Sequence, residues 1–300
     1  MPVCQMPFIM ANEISEEEKT AWHNARLAEV KAGTYKGKEI TPDFEPIEGW
    51  KPLKKYEHWD GSPAGIICNA TYDYSRIGIY PGDYIRETVS GVSCKFIIVR
   101  IGQNPYSNQP KTLMAADKPY FQMIQGGENL EGPHDNLATP AQWKNWIYKY
   151  TNIWRYCDNF YRQLPASLAN HILEVYPSCT QYNYERKEWE VNQFKTRVFI
   201  PSATELCPRD SSFERSIHEK AEPDYFIPWP KTYRNSIDDL SKLNNCWLRT
   251  MFCDRDVVNK QWSYLICKSS SMEVVGQKKE RIEPILSTGH AHILPCFCIG

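Results

Sequence analysis

The chain has almost no net charge: 35 basic and 36 acidic side chains over 300 residues leave a formal -1. That balance excludes bulk electrostatic attraction to nucleic acid or an anionic membrane as the main activity, while leaving room for a local basic patch. No run of 18 apolar residues occurs, so no membrane-spanning helix is expected. The first ten residues have only a short apolar piece, Pro7 to Met10, and no basic segment, which does not fit a secretory signal. No CxxC pair, no G-x-S-x-G elbow, no G-x-x-x-x-G-K-[ST] loop and no G-x-G-x-x-G fingerprint is present. Internal repeats and low-complexity tracts are missing too.

What is abundant is proline (21), aromatics (10 Trp, 18 Tyr, 11 Phe) and cysteine (11). Aromatics at 13% and charged residues at 24% suit a globular chain and not a disordered one. The length allows one large domain or two ordinary ones, each able to bury a core without staples. The cysteines are odd in number, scattered, and mostly flanked by apolar residues. They read as reduced, buried thiols made in a cytoplasm.

The first predicted element is a helix. Ser15 and Glu18 form a capping box, the acidic first turn suits the helix dipole, and Gly33 is a stop. Ile14, Ala21, Trp22, Ala25, Ala28 and Val30 make its apolar stripe. Pro42, Pro46 and Pro52 then punctuate an extended arm, and a soft domain boundary falls near residue 60. One helix plus an arm cannot bury its own apolar face, so it is expected to dock on the main domain or on another subunit.

Beyond that boundary the pattern predicts short strands at 66–68, 76–80, 84–89, 94–102 and 113–116, with the apolar run Phe96–Val99 marking a central strand. Thr139-Pro140 starts a predicted helix carrying Trp143, Trp146, Ile147 and Tyr150, and a second helix is expected over 167–175. Trp154, Tyr156, Phe160 and Tyr161 also recur at spacings that fit a helix packed on a sheet. A charged hairpin (182–189 with 191–194) and strands at 198–200, 247–251, 262–267, 272–275 and 292–299 complete an α+β pattern.

Chemistry-bearing residues each have a structural reading beside the functional one. His290, His292, Cys296 and Cys298 share one face if the last segment is a single strand. Same-face neighbours there are about 6.6 Å apart, which does not suit one metal ion, so buried thiols with exposed imidazoles are the simpler reading. No local signature marks any cysteine–histidine pair as nucleophile and base. Asp254 and Asp256, flanking Arg255, and the pair Asp238-Asp239 lack the calcium-loop pattern and read as solvated loop charge. Lys278 and Lys279 read as part of an exposed, sign-mixed turn. Tyr225, Trp229, Tyr182, Tyr184 and Trp262 are candidates for stacking on a sugar or a protein partner.

Several phrases occur together in order: Trp143-Lys144-Asn145-Trp146-Ile147, Asn159 to Pro165, Val198 to Leu206, Cys246-Trp247-Leu248-Arg249-Thr250, and Ile293 to Ile299. Over roughly 79–300 this set resembles an uncharacterised domain family whose members end in WLRS/T followed by V-R-P-A and two apolar residues. That family occurs in bacteriophage structural proteins and in Gram-positive surface or secreted proteins. Its end motif in turn is similar to the C-type-lectin-like fold shared with phage tropism determinants and formylglycine-generating enzymes.

The resemblance implies an α+β, C-type-lectin-like domain (61–300) with short antiparallel strands, two helices and long loops, preceded by the helix and arm (1–60). It makes Trp247, Leu248 and Arg249 a core strand with an internally bonded arginine, and places Pro295 and Phe297 in the closing strand. Leu294 stands where the family usually has arginine, so that partner network is altered here. It implies a non-enzymatic virion protein of a tail, baseplate or head fibre, assembled in the host cytoplasm and oligomeric by analogy. Its partners would be other virion proteins and a host-surface carbohydrate or protein. Loops at 252–260, 267–271 and 277–290 would face the ligand, while Trp22, Phe44 and Trp50 would anchor the arm. The alternative is a metal- or cysteine-dependent enzyme of the formylglycine-generating type, using Cys296 and Cys298. No cofactor is expected under the first reading.

Overall fold

The computed structural model describes residues 14–48, 50, 60–68, 78–102, 106–107, 111–118, 120, 124–125, 152–183, 186, 188–206, 229–230, 232–233, 246–253, 262–269, 280–286 and 290–300. Helix α1 (Glu16–Ala32) begins as its sequence dictates: Ser15 accepts from the Glu18 backbone N–H at 3.2 Å while the Glu18 carboxylate accepts from the Ser15 N–H at 2.8 Å. It ends at Gly33, whose φ of 74° closes the helix and returns N–H groups to Glu29 and Val30. A short helix α2 (63–68) stands where a strand was expected at 66–68. The reason is local: Ser62 caps it, accepting from the Gly65 N–H at 3.0 Å, and Pro63 occupies the first turn, where a missing N–H costs nothing.

The core is built on a five-stranded antiparallel sheet. Strands β1 (Tyr84–Val89), β2 (Val92–Arg100) and β3 (Thr112–Ala116) are followed much later in the chain by β7 (Val198–Phe199) and β12 (Cys296–Ile299). Their spatial order is β1-β2-β3-β12-β7. Ser90 and Gly91 join β1 to β2 with both φ angles positive, the two-residue turn that matches the twist of a hairpin. Phe96 to Val99 are fully buried in β2, and every residue of β3 and β12 is buried, as continuous apolar runs require of strands covered on both faces. Phe96 is the hub, 5.1 Å from Phe297 and 6.2 Å from Phe160 between ring centroids.

Phe160 comes from α3 (Asn152–Arg162), which also buries Cys157 but leaves Tyr156 exposed, against the expectation that it packs. The helix expected over 167–175 is only one turn, α4 (Ala166–Ala169). Beyond it Ile172 and Val175 form bridges with Ile299 and Thr196, so pairing with the sheet overrides helical propensity there. A hairpin forms in this region, but with other strands than the sequence predicts: β5 (Ser178–Asn183) pairs with β6 (Glu188–Gln193), so the stretch 182–189, expected as one strand, contributes Tyr182 to one strand and its partner Trp189 to the other. Helix α5 (Ala203–Leu206) follows β7. A three-stranded antiparallel sheet holds β10 (Glu280–Leu286), β9 (Trp262–Ser269) and β8 (Cys246–Cys253) in that order. The stretch 280–286, expected as loop, is thus a paired strand. Of the predicted strand 292–299 only β12 (Cys296–Ile299) is a strand: His292 makes an isolated bridge to Cys246 and 293–295 are irregular, while β11 (His290–Ala291), just before that stretch, pairs with β4 (Ile124–Gln125). The predicted elements at 139–150 and 272–275 lie outside the described residues, as do 76 and 77; the rest of the strand expected at 76–80 is described and forms no strand, 78–80 leading into the turn before β1.

The arm is not separate from this body. Ile40 is hydrogen-bonded to Tyr84 across the edge of β1, and Ile40 and Phe44 join the same buried cluster as β2 and β3. These observations establish a mixed α+β architecture with antiparallel sheets.

Candidate functional site

Three constellations of polar side chains deserve comparison, and each begins in local chain geometry. The first is the clasp that holds α1. Asp83 sits fully buried beside β1, where the turn Tyr80-Pro81-Gly82 returns the chain. Its carboxylate accepts from the Tyr35 hydroxyl at 2.5 Å, the Lys38 N–H at 2.7 Å and the Tyr80 N–H at 2.8 Å. Burial pushes its pKa up to about 6, with those three hydrogen bonds opposing the rise. Gly37 crosses Gly82 so closely that a Cβ would stand 1.9 Å from the Gly82 carbonyl oxygen. Trp22 packs edge-on against Trp50 and Tyr80, and His23 Nδ1 lies 2.5 Å from the Tyr80 hydroxyl. Thr232 donates to the Val30 carbonyl at 2.7 Å, satisfying an acceptor at the helix end. A groove of about 580 Å³ runs beside the clasp, lined by Trp22, Arg26, Tyr35 and Lys38 among others.

The second is a buried ion pair. Arg249 of β8 and Glu205 of α5 are both wholly buried, and both carboxylate oxygens receive guanidinium N–H groups. Arg249 also donates to the carbonyls of Ser178 (2.6 Å) and Ile200 (2.7 Å), and its plane lies over Tyr106 and Phe199. Tyr106 donates to Glu205 and accepts from the Trp229 indole at 3.3 Å. Ser202 and Glu205 form a second capping box, holding the carboxylate in place. With every charge neutralised and hydrogen-bonded inside, this node is a lock between strands and has no room for a substrate.

The third joins Cys68, His171 and Asp60. Cys68 ends α2, and its sulfur lies 3.3 Å from His171 Nδ1. His171 Nε2 lies 2.8 Å from Asp60 Oδ2. Asp60 is oriented by Ser62, whose N–H and hydroxyl donate to Oδ1 at 2.9 and 2.5 Å. Burial alone would raise the Asp60 carboxyl, but the bonds from Ser62 and His171 outweigh it and bring it down to about 2. Burial, reinforced by the Asp60 charge, pushes the Cys68 thiol up to about 12, so the resting sulfur is protonated.

The residues singled out from the sequence are distributed differently. Trp229, expected as an exposed stacking residue, is 2% exposed and part of the Arg249 lock, because its indole N–H finds Tyr106 inside. Trp247, Leu248 and Arg249 are buried in β8, and Phe297 is buried in β12 next to Pro295. Phe44 and Trp50 are buried within their own chain, and Trp22 is half-buried against Trp50. Cys296 and Cys298 are fully buried, and burial raises both thiols. His290 and His292 do not share a strand with them. Trp262 opens β9, whereas Tyr225, Asp254, Arg255, Asp256, Lys278, Lys279 and Tyr184 lie outside the described residues. Among the described residues no group of three or more His, Cys, Asp or Glu side chains could hold a metal ion. No described helix is long and apolar enough to cross a membrane.

Sequence reasoning missed the Asp83 clasp and the Cys68–His171–Asp60 chain. The Ser62-Pro63 and Ser202-x-x-Glu205 caps were legible signals for the segments that carry two of these sites. No curated protein and no solved structure matches the chain. One family does match, over residues 133–299, a span that contains β5 to β12, the Arg249–Glu205 lock and His171. Since the match takes in more than half of the 300 residues, the chain belongs to the family described as a domain of unknown function, DUF6273.

Proposed function

We propose that the protein is a bacteriophage virion component, in a tail, baseplate or head fibre, that works by binding neighbouring subunits and a host-surface receptor. The observation that carries this reading is α1. A 17-residue helix is capped at both ends and stapled to the body, yet none of its residues is buried. Trp22 and Val30 turn inward, while Ala21, Ala25, Ala28 and Ala32 remain exposed along one face. A rigid helix with a smooth outer face suits close packing by another subunit. The sequence resemblance to phage structural proteins supports the same reading, and a C-type-lectin-like scaffold belongs to this proposal. The receptor-facing segments would be those around Asp254 to Asp256 and Lys278-Lys279.

The anchoring surface in this reading is the outward face of α1, since Phe44 and Trp50 are already used within the chain. The test is a double substitution, Ala25→Glu with Ala28→Arg, in a phage carrying this protein. Particles should lose it while the purified variant unfolds like wild type. Normal incorporation of the variant would overturn the proposal.

A further inference from the structure

The Cys68–His171–Asp60 chain is unlike the other thiol environments described. Cys94, Cys179 and Cys296 direct their sulfurs at backbone carbonyls, which accept a hydrogen bond but cannot take the proton. Cys68 instead meets a base. Because Nε2 faces the ionised Asp60 carboxylate, it carries the imidazole proton, and Nδ1 presents its lone pair to the thiol. Nucleophile, base and orienting carboxylate are therefore in line at hydrogen-bonding distances.

Each partner is held independently. Asp60 is fixed by Ser62, and the His171 backbone by bonds to Leu168 and Gly300. Exposure of the side chains falls inward, from 47% at Asp60 to 12% at His171, and Cys68 is 3% exposed as a residue. Lys111, itself largely buried, is close enough for its positive charge to favour a thiolate at Cys68.

We propose that Cys68 is an acyl-accepting nucleophile for small ester carbonyls, with His171 as its base and Asp60 as the positioning residue. As Sγ attacks the carbonyl carbon, the thiol proton passes to His171 Nδ1. Collapse breaks the ester C–O bond, and the imidazolium returns the proton to the departing alkoxide, leaving an S-acyl Cys68. Water then attacks the thioester carbon and gives its proton to Nδ1. The C–S bond breaks, the thiolate recovers the proton, and the products are a carboxylic acid and an alcohol. Asp60 never touches the substrate; it holds the tautomer and stabilises the imidazolium as it forms. With Cys68 only 3% exposed, the donor is a short acyl group.

The experiment mixes full-length protein with p-nitrophenyl acetate across a pH series. It follows p-nitrophenolate release and locates acetyl groups by peptide mass. The expected result is a burst approaching one equivalent, an acetyl group on Cys68, and a rate governed by one ionisation. His171→Gln should slow the burst roughly 100-fold and remove that ionisation, the usual worth of a general base. Asp60→Asn, at an exposed position that keeps an acceptor for Ser62, should slow the burst and move the pH midpoint to lower pH. An equal burst in Cys68→Ala would overturn the proposal, as would acetylation spread evenly over other thiols and lysines. So would an Asp60→Asn variant with unchanged rate and pH profile. This test is independent of whether the protein resides in a phage particle.

Discussion

At the scale of single residues, Arg249 shows how much of this fold depends on one charge. Its guanidinium bonds two carbonyls from different segments and both oxygens of Glu205, with no solvent exposure at either partner. Removing the arginine alone strands a buried carboxylate. Arg249→Met should therefore lower unfolding stability by about 3–5 kcal/mol in urea denaturation. Adding Glu205→Gln to that variant should recover much of the loss, since the uncompensated charge disappears. Asp83 makes a different case. Its pKa is raised to about 6, so the folded state holds this proton more tightly than the unfolded chain, whose carboxyl titrates near ~3.9. The stability it contributes is fully present below the unfolded value and is lost as pH rises through about 6. Relative to Asp83→Asn, wild type should lose about 3 kcal/mol between those limits. Chemical denaturation at stepped pH would read this, and parallel profiles for the two proteins would refute the assignment.

At the scale of elements, α1 forms where its caps say it should but docks by fewer residues than its apolar stripe suggests. Only its Trp22–Val30 side meets the body; the alanines of the same stripe face outward. The attachment therefore rests on the Asp83 clasp and the backbone crossing at Gly37. Gly37 has a φ of 71°, and a Cβ there would collide with the Gly82 carbonyl. Gly37→Ala should displace the segment carrying Tyr35 and Lys38. Amide exchange in α1 should then rise by at least tenfold while the β1–β2–β3 amides stay protected. Equal loss of protection in both regions would mean that the helix and the sheet open together. A similar competition explains the region after α4. The pattern over 167–175 reads as a helix, but Ile172 and Val175 have partners in Ile299 and Thr196, and those bridges win.

At the scale of the whole molecule, the sheet is assembled from strands far apart in the chain. β3 and β12 are adjacent in the sheet, although 187 positions separate Ile299 from its partner Thr112. Such an arrangement buries thiols from both ends of the chain in one interior. Cys94, Cys157, Cys179, Cys246, Cys296 and Cys298 are all buried. Their reaction with a disulfide reagent should be slower by ~1,000-fold in native protein than in denaturant, and should track global unfolding as denaturant is added. Fast labelling of Cys296 or Cys298 in the native state would instead favour the reading that makes them reactive.

Much of the local structure was legible in the sequence: the Ser15–Glu18 cap, the Gly33 stop, the Ser90-Gly91 hairpin turn and the buried run from Phe96 to Val99. These follow from hydrogen-bond needs at helix ends, from the positive φ that a tight turn demands, and from apolar periodicity, all of which act over a few residues. What only the tertiary structure decided is which distant groups meet. Asp60 and His171 are 111 positions apart, Tyr35 and Asp83 are 48, and Glu205 and Arg249 are 44. No spacing rule links such pairs, because their meeting depends on how strands order in a sheet. For the same reason Trp229, placed by composition on a polar surface, proved to be interior: the indole is buried where Tyr106 supplies the partner its N–H requires.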